Sequence, residues 1–330
     1  MDGSAGRPRE AFAIARDGAP IFYSVQGPAD PAAPALVLSD GIGCDGYIWK
    51  YLKRDFADHR IVHWHYRGHG RTPVPHDRSR VSMADMADDL SAVMDAVGMP
   101  RAVLAGHSMG VQVCLESFRR YPDKVSGLVL MCGSYGHPLR TFKGRRTLEA
   151  ALPYAAFAIN RAWLGDIIGS VWRNVVPTRL AFAIATRTEI NAELVRYEDF
   201  FPYLQHIASV DLPLFVDMLA HAGRHSAREI LDTIDVPTLI IAGERDGFTP
   251  MNLSEEMHQR IAGSELMVIE AGSHTAPIER PQLVTEHMKP FLARVNAAEA
   301  EALAAAAQAG GGAASQAAAS ASDSSNRLPL

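Results

Sequence analysis

The sequence predicts an α/β fold with a mostly parallel sheet covered by helices on both faces. Short apolar runs without alternation, such as residues 35–38 and 102–105, are typical of strands buried on both faces. Segments with helical spacing separate these runs, which favours β-α-β crossovers. The pattern breaks once, at residues 134–233, where we find helical patterns and no convincing strand; this stretch is too long for a loop and indicates a helical insertion.

The elements follow in a regular order. An opening antiparallel hairpin is predicted around the turn dipeptide Asp17-Gly18, because residues 12–15 and 21–25 alternate on either side of it. The same reasoning predicts six further strands, at residues 35–38, 60–64, 102–105, 125–132, 237–242 and 266–270. Helices are predicted at residues 46–57, at 82–97 with Gly98 closing the helix, at 109–121, at 250–261 and from near Pro277.

These elements divide the chain into five parts. Residues 1–10 are expected to be flexible, residues 11–133 and 234–296 to form the two halves of the α/β core, and residues 134–233 to be the insertion. Residues 297–330 include 15 alanines but no aromatic or β-branched aliphatic residue. We expect this tail to be disordered and to take no part in the chemistry.

The charge balance gives no reason to expect a nucleic-acid partner. The 330 residues include 32 Lys and Arg against 37 Asp and Glu, a formal net charge of −5. Nucleic-acid binding usually depends on a clustered basic excess.

Cysteine content and hydropathy favour a cytoplasmic protein. Cys44, Cys114 and Cys132 are too few and too scattered for a disulfide framework or a Cys-rich metal site, so we expect reduced thiols. Charges interrupt the apolar run at the N-terminus, which therefore lacks the apolar region of a signal peptide. No stretch is apolar enough to predict integral membrane association.

The most informative motif is Gly106-His107-Ser108-Met109-Gly110, a G-x-S-x-G pattern between a predicted strand and a predicted helix. Glycines two residues on either side of the serine relieve the crowding of a sharp turn. The turn presents Ser108 at the N-terminus of the following helix, where the backbone N–H groups favour negative charge. The alternative is a serine that merely caps this helix.

A serine nucleophile needs a base and a third group that orients the base. His274 lies directly after the last predicted strand, and Asp246 lies just past the preceding one. Both therefore fall at the carboxyl edge of the sheet, where α/β proteins place their sites. Glu244, which is closer to its strand, is the competing acid.

The chain resembles the α/β-hydrolase fold superfamily, in particular its lidded esterase and lipase-like members. The chain order Ser108, Asp246, His274 matches the order of that family's triad. Further matches are Arg67-Gly68-His69-Gly70-Arg71 and Glu279-Arg280-Pro281. The resemblance implies an eight-stranded sheet, a helical lid formed by the insertion at residues 134–233, and no cofactor.

In the resembled family, two backbone N–H groups bind the oxyanion of the tetrahedral intermediate. The corresponding residues here are Met109, directly after the serine, and Ile42, in the loop after the third strand. Two positions depart from the family pattern: Asp40-Gly41 replaces a His-Gly pair, and His65 stands where an aspartate is common. We expect Asp40 to point away or to be hydrogen-bonded, and we interpret His63, His65 and His69 as hydrogen-bonded structural residues rather than metal ligands.

The resemblance thus implies a serine hydrolase that cleaves a small to medium, moderately hydrophobic carboxylic ester through an acyl-enzyme. The same triad serves carbon–carbon bond hydrolases and lactonases, which remain alternatives. A noncatalytic ligand-binding module of the same fold is a further alternative. The expected partner is a small-molecule ester; the physiological substrate and the oligomeric state stay open.

Overall fold

The computed structural model describes residues 8–141, 147–188, 190, 191 and 193–324. The described residues form one eight-stranded sheet with the strand order β1-β2-β4-β3-β5-β6-β7-β8. The strands are β1 (Arg9–Ile14), β2 (Pro20–Gln26), β3 (Ala35–Ser39), β4 (Arg60–Trp64), β5 (Ala102–His107), β6 (Val125–Met131), β7 (Thr238–Gly243) and β8 (Glu265–Ile269). Strand β2 pairs antiparallel with β1 and β4, and every other pair is parallel. The predicted mostly parallel sheet and opening hairpin are confirmed.

Helices connect the strands. In chain order the described helices are α1 (Lys50–Asp55), α2 (Met83–Val97), α3 (Met109–Arg120), α4 (Pro138–Thr141), α5 (Thr147–Ile159), α6 (Ala162–Val175), α7 (Arg179–Thr188), α8 (Tyr197–Ser209), α9 (Leu212–Arg224), α10 (Met251–Arg260), α11 (Ala276–Glu279) and α12 (Pro281–Ser324). None of these described helices is both long enough and apolar enough to cross a membrane.

The apolar strands form the centre of the core because helices cover both of their faces. All residues of β4, β5, β6 and β7 are buried. The registers Leu38 with Ala105 and Met131 with Ile241 align the carboxyl ends of neighbouring strands. The loops that follow β3, β5, β7 and β8 therefore share one edge of the sheet.

Local capping signals set the bounds of α2. The Ser82 side chain accepts a hydrogen bond from the Asp85 backbone, and the Asp85 side chain accepts one from the Ser82 N–H, which makes a capping box. Gly98 ends the helix with a φ of 67°, a left-handed conformation that glycine adopts without strain. The predicted helix at residues 82–97 and its glycine stop agree with these bounds.

The segment between β6 and β7 is helical, as its sequence pattern predicts. It contains α4 to α9, and an isolated bridge between Gly136 and Ser226 joins its two ends. Among the contacts between the insertion and the core, Asp199 on α8 accepts hydrogen bonds from Lys50 Nζ at 2.6 Å and from Tyr51 Oη at 2.8 Å. These contacts hold α8 against α1.

The Arg67 guanidinium links the opening hairpin to α2. It donates to Asp17 in the hairpin turn at 2.5 Å and to Asp89 on α2 at 2.7 Å, and Arg67 and Asp89 are almost fully buried. Burial raises the pKa of Asp89 to about 6, although the hydrogen bonds and the charge of Arg67 oppose that shift. The first arginine of the Arg67-Gly68-His69-Gly70-Arg71 motif therefore joins two parts of the fold through its ion pairs with Asp17 and Asp89.

Two ends of the chain differ from the sequence-based expectations. Strand β1 begins at Arg9, so part of the segment 1–10 is ordered as a strand, because Arg9 and Glu10 pair with β2. Helix α12 continues to Ser324, where the composition predicts disorder; alanine has the highest helix propensity of all residues, which accounts for a helix without a core-forming pattern. Residues 1–7 and 325–330 lie outside the described residues.

The chain divides after Met288 into two units. The first contains the whole sheet and the insertion. The second begins at Lys289 and, where described, consists of the continuation of α12.

Candidate active site

Ser108 occupies a strained turn between β5 and α3. Its φ of 56° and ψ of −117° lie in a region that residues with a side chain rarely adopt. A Cβ atom at Gly106 would lie 2.3 Å from the Gly110 carbonyl oxygen, and one at Gly110 would lie 2.2 Å from the Ser39 carbonyl oxygen. The two glycines of the motif are therefore required by close backbone approach, and the turn places the serine at the N-terminus of α3.

Ser108, His274 and Asp246 form a continuous hydrogen-bonded chain. His274 Nε2 lies 2.9 Å from Ser108 Oγ, and His274 Nδ1 lies 2.9 Å from Asp246 Oδ2. The serine follows β5, the aspartate follows β7 and the histidine follows β8. Because a carboxylate can only accept, Nδ1 carries the proton, and the lone pair of Nε2 faces the serine hydroxyl.

Asp246 is buried and fully engaged. Its Oδ1 accepts from the backbone N–H groups of Phe248 at 2.8 Å and Thr249 at 2.9 Å, and its Oδ2 accepts from Thr249 Oγ1 at 2.7 Å. Burial opposes ionisation, but the facing His274 and these hydrogen bonds lower the pKa of Asp246 below its ordinary value. Glu244, the competing acid, is exposed and accepts a hydrogen bond from the Ala271 N–H.

Glu279 holds the loop that carries His274. This buried carboxylate accepts hydrogen bonds from the Ser273 N–H at 2.7 Å, from Ser273 Oγ, and from Thr275 Oγ1 at 2.8 Å. It thereby binds the residues on both sides of the histidine. The motif Glu279-Arg280-Pro281 is visible in the sequence, but its contacts with this loop are not.

The loop after β3 lies beside the serine. A Cβ atom at Gly41 would lie 3.2 Å from Ser108 Cβ, so glycine permits the close approach. Among the described residues, no acceptor binds the backbone N–H of Ile42 or that of Met109. Both groups are therefore available to an oxyanion formed at the serine.

Asp40 is turned into the protein, where His63 binds it. His63 Nε2 donates to Asp40 Oδ2 at 2.8 Å, and the Tyr66 hydroxyl donates to the Asp40 carbonyl at 2.6 Å. Burial lowers the pKa of His63, so a neutral imidazole faces the carboxylate. The expectation that Asp40 is hydrogen-bonded is confirmed, and the contact partner was not predicted.

His69 supports the same loop. Its Nδ1–H donates to the Arg67 carbonyl at 3.1 Å, and its Nε2 accepts from the Gly43 N–H, also at 3.1 Å. His65 Nδ1 similarly accepts from the Arg71 N–H at 2.9 Å. His63, His65 and His69 are thus all hydrogen-bonded, and their interpretation as structural residues stays a prediction. Within the described ranges, no group of three His, Cys, Asp or Glu side chains has the arrangement of a metal site.

A cavity of about 180 Å³ opens at Ser108 and His274. The described residues that line it include no Lys, Arg, Asp or Glu. Its wall on the core side contains Gly41, Ile42, Cys44, Tyr47 and Phe248, and its wall on the insertion side contains Ala185, Ile190, Phe200, Tyr203 and Leu204. Residues of the insertion therefore line part of an apolar cavity that contains Ser108.

The strand order and the serine turn after β5 define an α/β hydrolase fold. The chain belongs to the α/β hydrolase fold family, whose family model matches residues 34–281. The predicted family and fold class are confirmed.

Three comparisons illustrate the range of proteins that this chain is similar to. A protein of Variovorax paradoxus with the provisional name carbamate hydrolase RutD is 28% identical over 293 residues, which is 84% of this chain and 98% of the relative. The 3-oxoadipate enol-lactonase 1 of Acinetobacter baylyi is 24% identical to this chain, in an alignment that covers 81% of this chain and 91% of the lactonase. The solved structure of an esterase from Thermogutta terrifontis covers 88% of this chain and 100% of its own, with 24% identity and a TM-score of 0.69.

We predict that stability falls as the pH is lowered from about 6.5 towards 4. Burial lowers the pKa of His65 to about 3 and the pKa values of His69 and His107 to about 4 in the folded protein. Between those values and about 6.5, the unfolded chain binds more protons, so the free energy of unfolding decreases as the pH falls, by about 1.4 kcal/mol per pH unit for each histidine.

Urea unfolding at a series of pH values measures this dependence. His69→Gln, which keeps a hydrogen-bond acceptor but does not titrate, is expected to reduce the slope by about one proton. The control is His76→Gln at an exposed histidine, which should leave the slope unchanged. An unaltered slope in His69→Gln contradicts the assignment of a buried neutral imidazole.

Proposed function

We propose that the protein is a serine hydrolase that cleaves a carboxylic ester through Ser108, His274 and Asp246. The observation that carries this proposal is the chain of two 2.9 Å hydrogen bonds from the serine hydroxyl through the imidazole to a buried carboxylate. A serine that merely capped α3 would need neither the base nor the acid, and its side chain makes no capping hydrogen bond.

The first half of the reaction forms an acyl-enzyme. Ser108 Oγ attacks the ester carbonyl while His274 Nε2 takes its proton, and the Asp246 carboxylate stabilises the imidazolium that results. The N–H groups of Met109 and Ile42 bind the oxyanion of the tetrahedral intermediate. The imidazolium then gives its proton to the leaving alkoxide, and the alcohol departs.

The second half releases the acid. Water attacks the acyl carbon as His274 accepts one of its protons, and a second tetrahedral intermediate forms. Its collapse breaks the bond to Ser108 Oγ, which regains a proton from His274. The reaction consumes one ester and one water and yields one alcohol and one carboxylic acid, without a cofactor or a metal.

The cavity supports a small to medium, moderately hydrophobic substrate. A cavity of about 180 Å³ suits a short acyl chain. Tyr47, Phe200 and Tyr203 form an aromatic wall, with ring centroids 5.1 to 5.9 Å apart. Because the described lining offers no cationic side chain, an anionic acyl group would lose its hydration without gaining a partner.

The names of the similar proteins support the same reaction class. An ester, an enol-lactone and a carbamate all present a carbonyl carbon to a nucleophile and release an oxygen or nitrogen leaving group. A lactone is a cyclic ester, so lactone hydrolysis is the second candidate, and its support is the similarity to the enol-lactonase over 81% of this chain.

Replacement of the nucleophile tests the mechanism. Ser108→Ala is expected to lower kcat for p-nitrophenyl acetate by at least about 1,000-fold, because the acyl-enzyme can no longer form. The matched control is Ser117→Ala, which removes another buried hydroxyl from α3 and should retain activity. Wild-type turnover in Ser108→Ala would show that the serine is not the nucleophile.

A substrate panel tests the pocket. We expect kcat/KM to be highest for neutral esters with short acyl chains and at least about tenfold lower for an ester whose acyl group ends in a carboxylate, since the site lacks a cationic partner. Neutral lactones of matched size, measured with the same enzyme, distinguish the second candidate. A preference for the anionic ester would contradict the assignment of a neutral acyl pocket.

A further inference from the structure

The outer surface of the helical insertion is unusually apolar. Fourteen large hydrophobic side chains are exposed among the described residues, and nine of them lie on α5, α6 and α7. The nine are Leu148, Tyr154, Phe157, Trp163, Ile167, Val171, Val175, Leu180 and Ile184. Single exposed apolar residues are common on soluble proteins, but such a concentration marks an interaction surface.

Helix α6 has two distinct faces. Trp163, Ile167, Val171 and Val175 follow one another at intervals of four residues, which places them along one side of the helix, and each is 47 to 70% exposed. Trp172 faces the protein instead, since its Nε1–H donates to the Ile207 carbonyl of α8 at 2.9 Å. The apolar side of α6 therefore faces outward rather than into the core.

The neighbouring helix α5 extends this surface. Tyr154 and Phe157, one turn apart on α5, are 79% and 64% exposed, and the Arg161 guanidinium lies 4.4 Å from the centroid of the Phe157 ring. We call the six residues Tyr154, Phe157, Trp163, Ile167, Val171 and Val175 the outer face.

The segment that carries the outer face is strongly basic. Residues 138–188, from α4 to α7, include eight basic residues and two acidic ones, which is a net charge of +6. Because the whole chain has a net charge of −5, the remaining residues together carry −11. The basic residues are Arg140, Lys143, Arg145, Arg146, Arg161, Arg173, Arg179 and Arg187, and the acidic ones are Glu149 and Asp166.

We propose that the outer face binds peripherally to the surface of a membrane that contains anionic lipids. Helices with one apolar face and basic flanks lie in the plane of the lipid interface, where the apolar side chains enter the acyl boundary and the arginines meet anionic headgroups. Aromatic side chains such as Trp163 and Tyr154 favour this interface.

A second copy of the chain fits the surface less well. The described charged side chains of this segment are four basic ones, Arg140, Arg161, Arg173 and Arg179, against two acidic ones, Glu149 and Asp166. A symmetric dimer through the outer face would bring two such positively charged segments together, and like charges repel at close range. An anionic membrane supplies the complementary charge.

Membrane binding by the outer face would also help substrates to reach the cavity at Ser108. The insertion contributes Ala185 of α7 and Phe200, Tyr203 and Leu204 of α8 to the cavity above Ser108. Apolar esters concentrate in membranes, so a docked insertion would bring its pocket to that source. The docking itself does not require catalysis.

The test uses the 330-residue chain with vesicles of phosphatidylcholine, either pure or containing about one third phosphatidylglycerol. We expect the protein to cosediment with the anionic vesicles, at least about tenfold more tightly than with the neutral ones, and to dissociate at high salt. The Ser108→Ala protein should bind equally, so that failure of the proposed catalysis and failure of docking are distinguishable.

The fluorescence of Trp163 can report membrane binding directly. Of the four tryptophans, Trp49 and Trp64 are fully buried and Trp172 is hydrogen-bonded in the protein, whereas Trp163 is 70% exposed. We expect its emission to shift to shorter wavelength on binding, and Trp163→Phe to abolish the shift.

The double variant Ile167→Glu, Val171→Glu is expected to weaken binding to the anionic vesicles at least about tenfold while hydrolysis of dissolved p-nitrophenyl acetate is kept. The matched control is Ile14→Glu, Val268→Glu, which places the same charges at exposed apolar positions on β1 and β8 and should bind like the wild type. Retained activity and a native circular dichroism spectrum verify folding.

Three results would overturn the proposal. They are no binding to the anionic vesicles, binding that the double variant leaves unchanged, and light scattering that shows a dimer which the double variant converts to monomers. The last result would assign the outer face to a second copy of the chain.

Discussion

The close packing of backbone around Ser108 is the constraint on which the site depends. Strand β5, helix α3 and the end of β3 approach so closely that Gly106 and Gly110 leave no room for a Cβ atom, and Ser108 itself adopts a positive φ. Such a strained conformation persists only where the surrounding fold determines it. The buried parallel strands supply that support, and the strain lifts the hydroxyl out of the sheet to meet residues from two other loops.

Buried polar groups hold those other loops in place. The positions of the triad residues could be predicted from the sequence, but the hydrogen bonds that support them could not. Ser108, Asp246 and His274 follow predicted strands, so their common edge could be predicted from periodicity and chain order. The bonds from His63 to Asp40, from Gly43 to His69 and from Ser273 to Glu279 could not. The first two join segments 23 and 26 residues apart, and no local pattern selects one imidazole nitrogen or one carboxylate oxygen as the partner.

The amino-acid composition predicted less of the structure than the periodicity of apolar residues did. The Ala-rich tail lacks core-forming residues, which suggested disorder, yet alanine also favours helix, and α12 extends to Ser324. The net charge of −5 likewise averages over an uneven chain, since residues 138–188 carry +6. The apolar residues of the insertion gave a helical pattern, but only the structure separates those that line the cavity from those that face outward.

We propose that His274 and Asp246 activate Ser108 as a nucleophile at an apolar cavity. Reaction of the folded protein with a fluorophosphonate, followed by peptide mass spectrometry, tests it most directly, because such probes react with activated serines. We expect a single adduct on the peptide that contains Ser108, and none in His274→Ala. An unmodified protein, or an adduct on another serine, would contradict it.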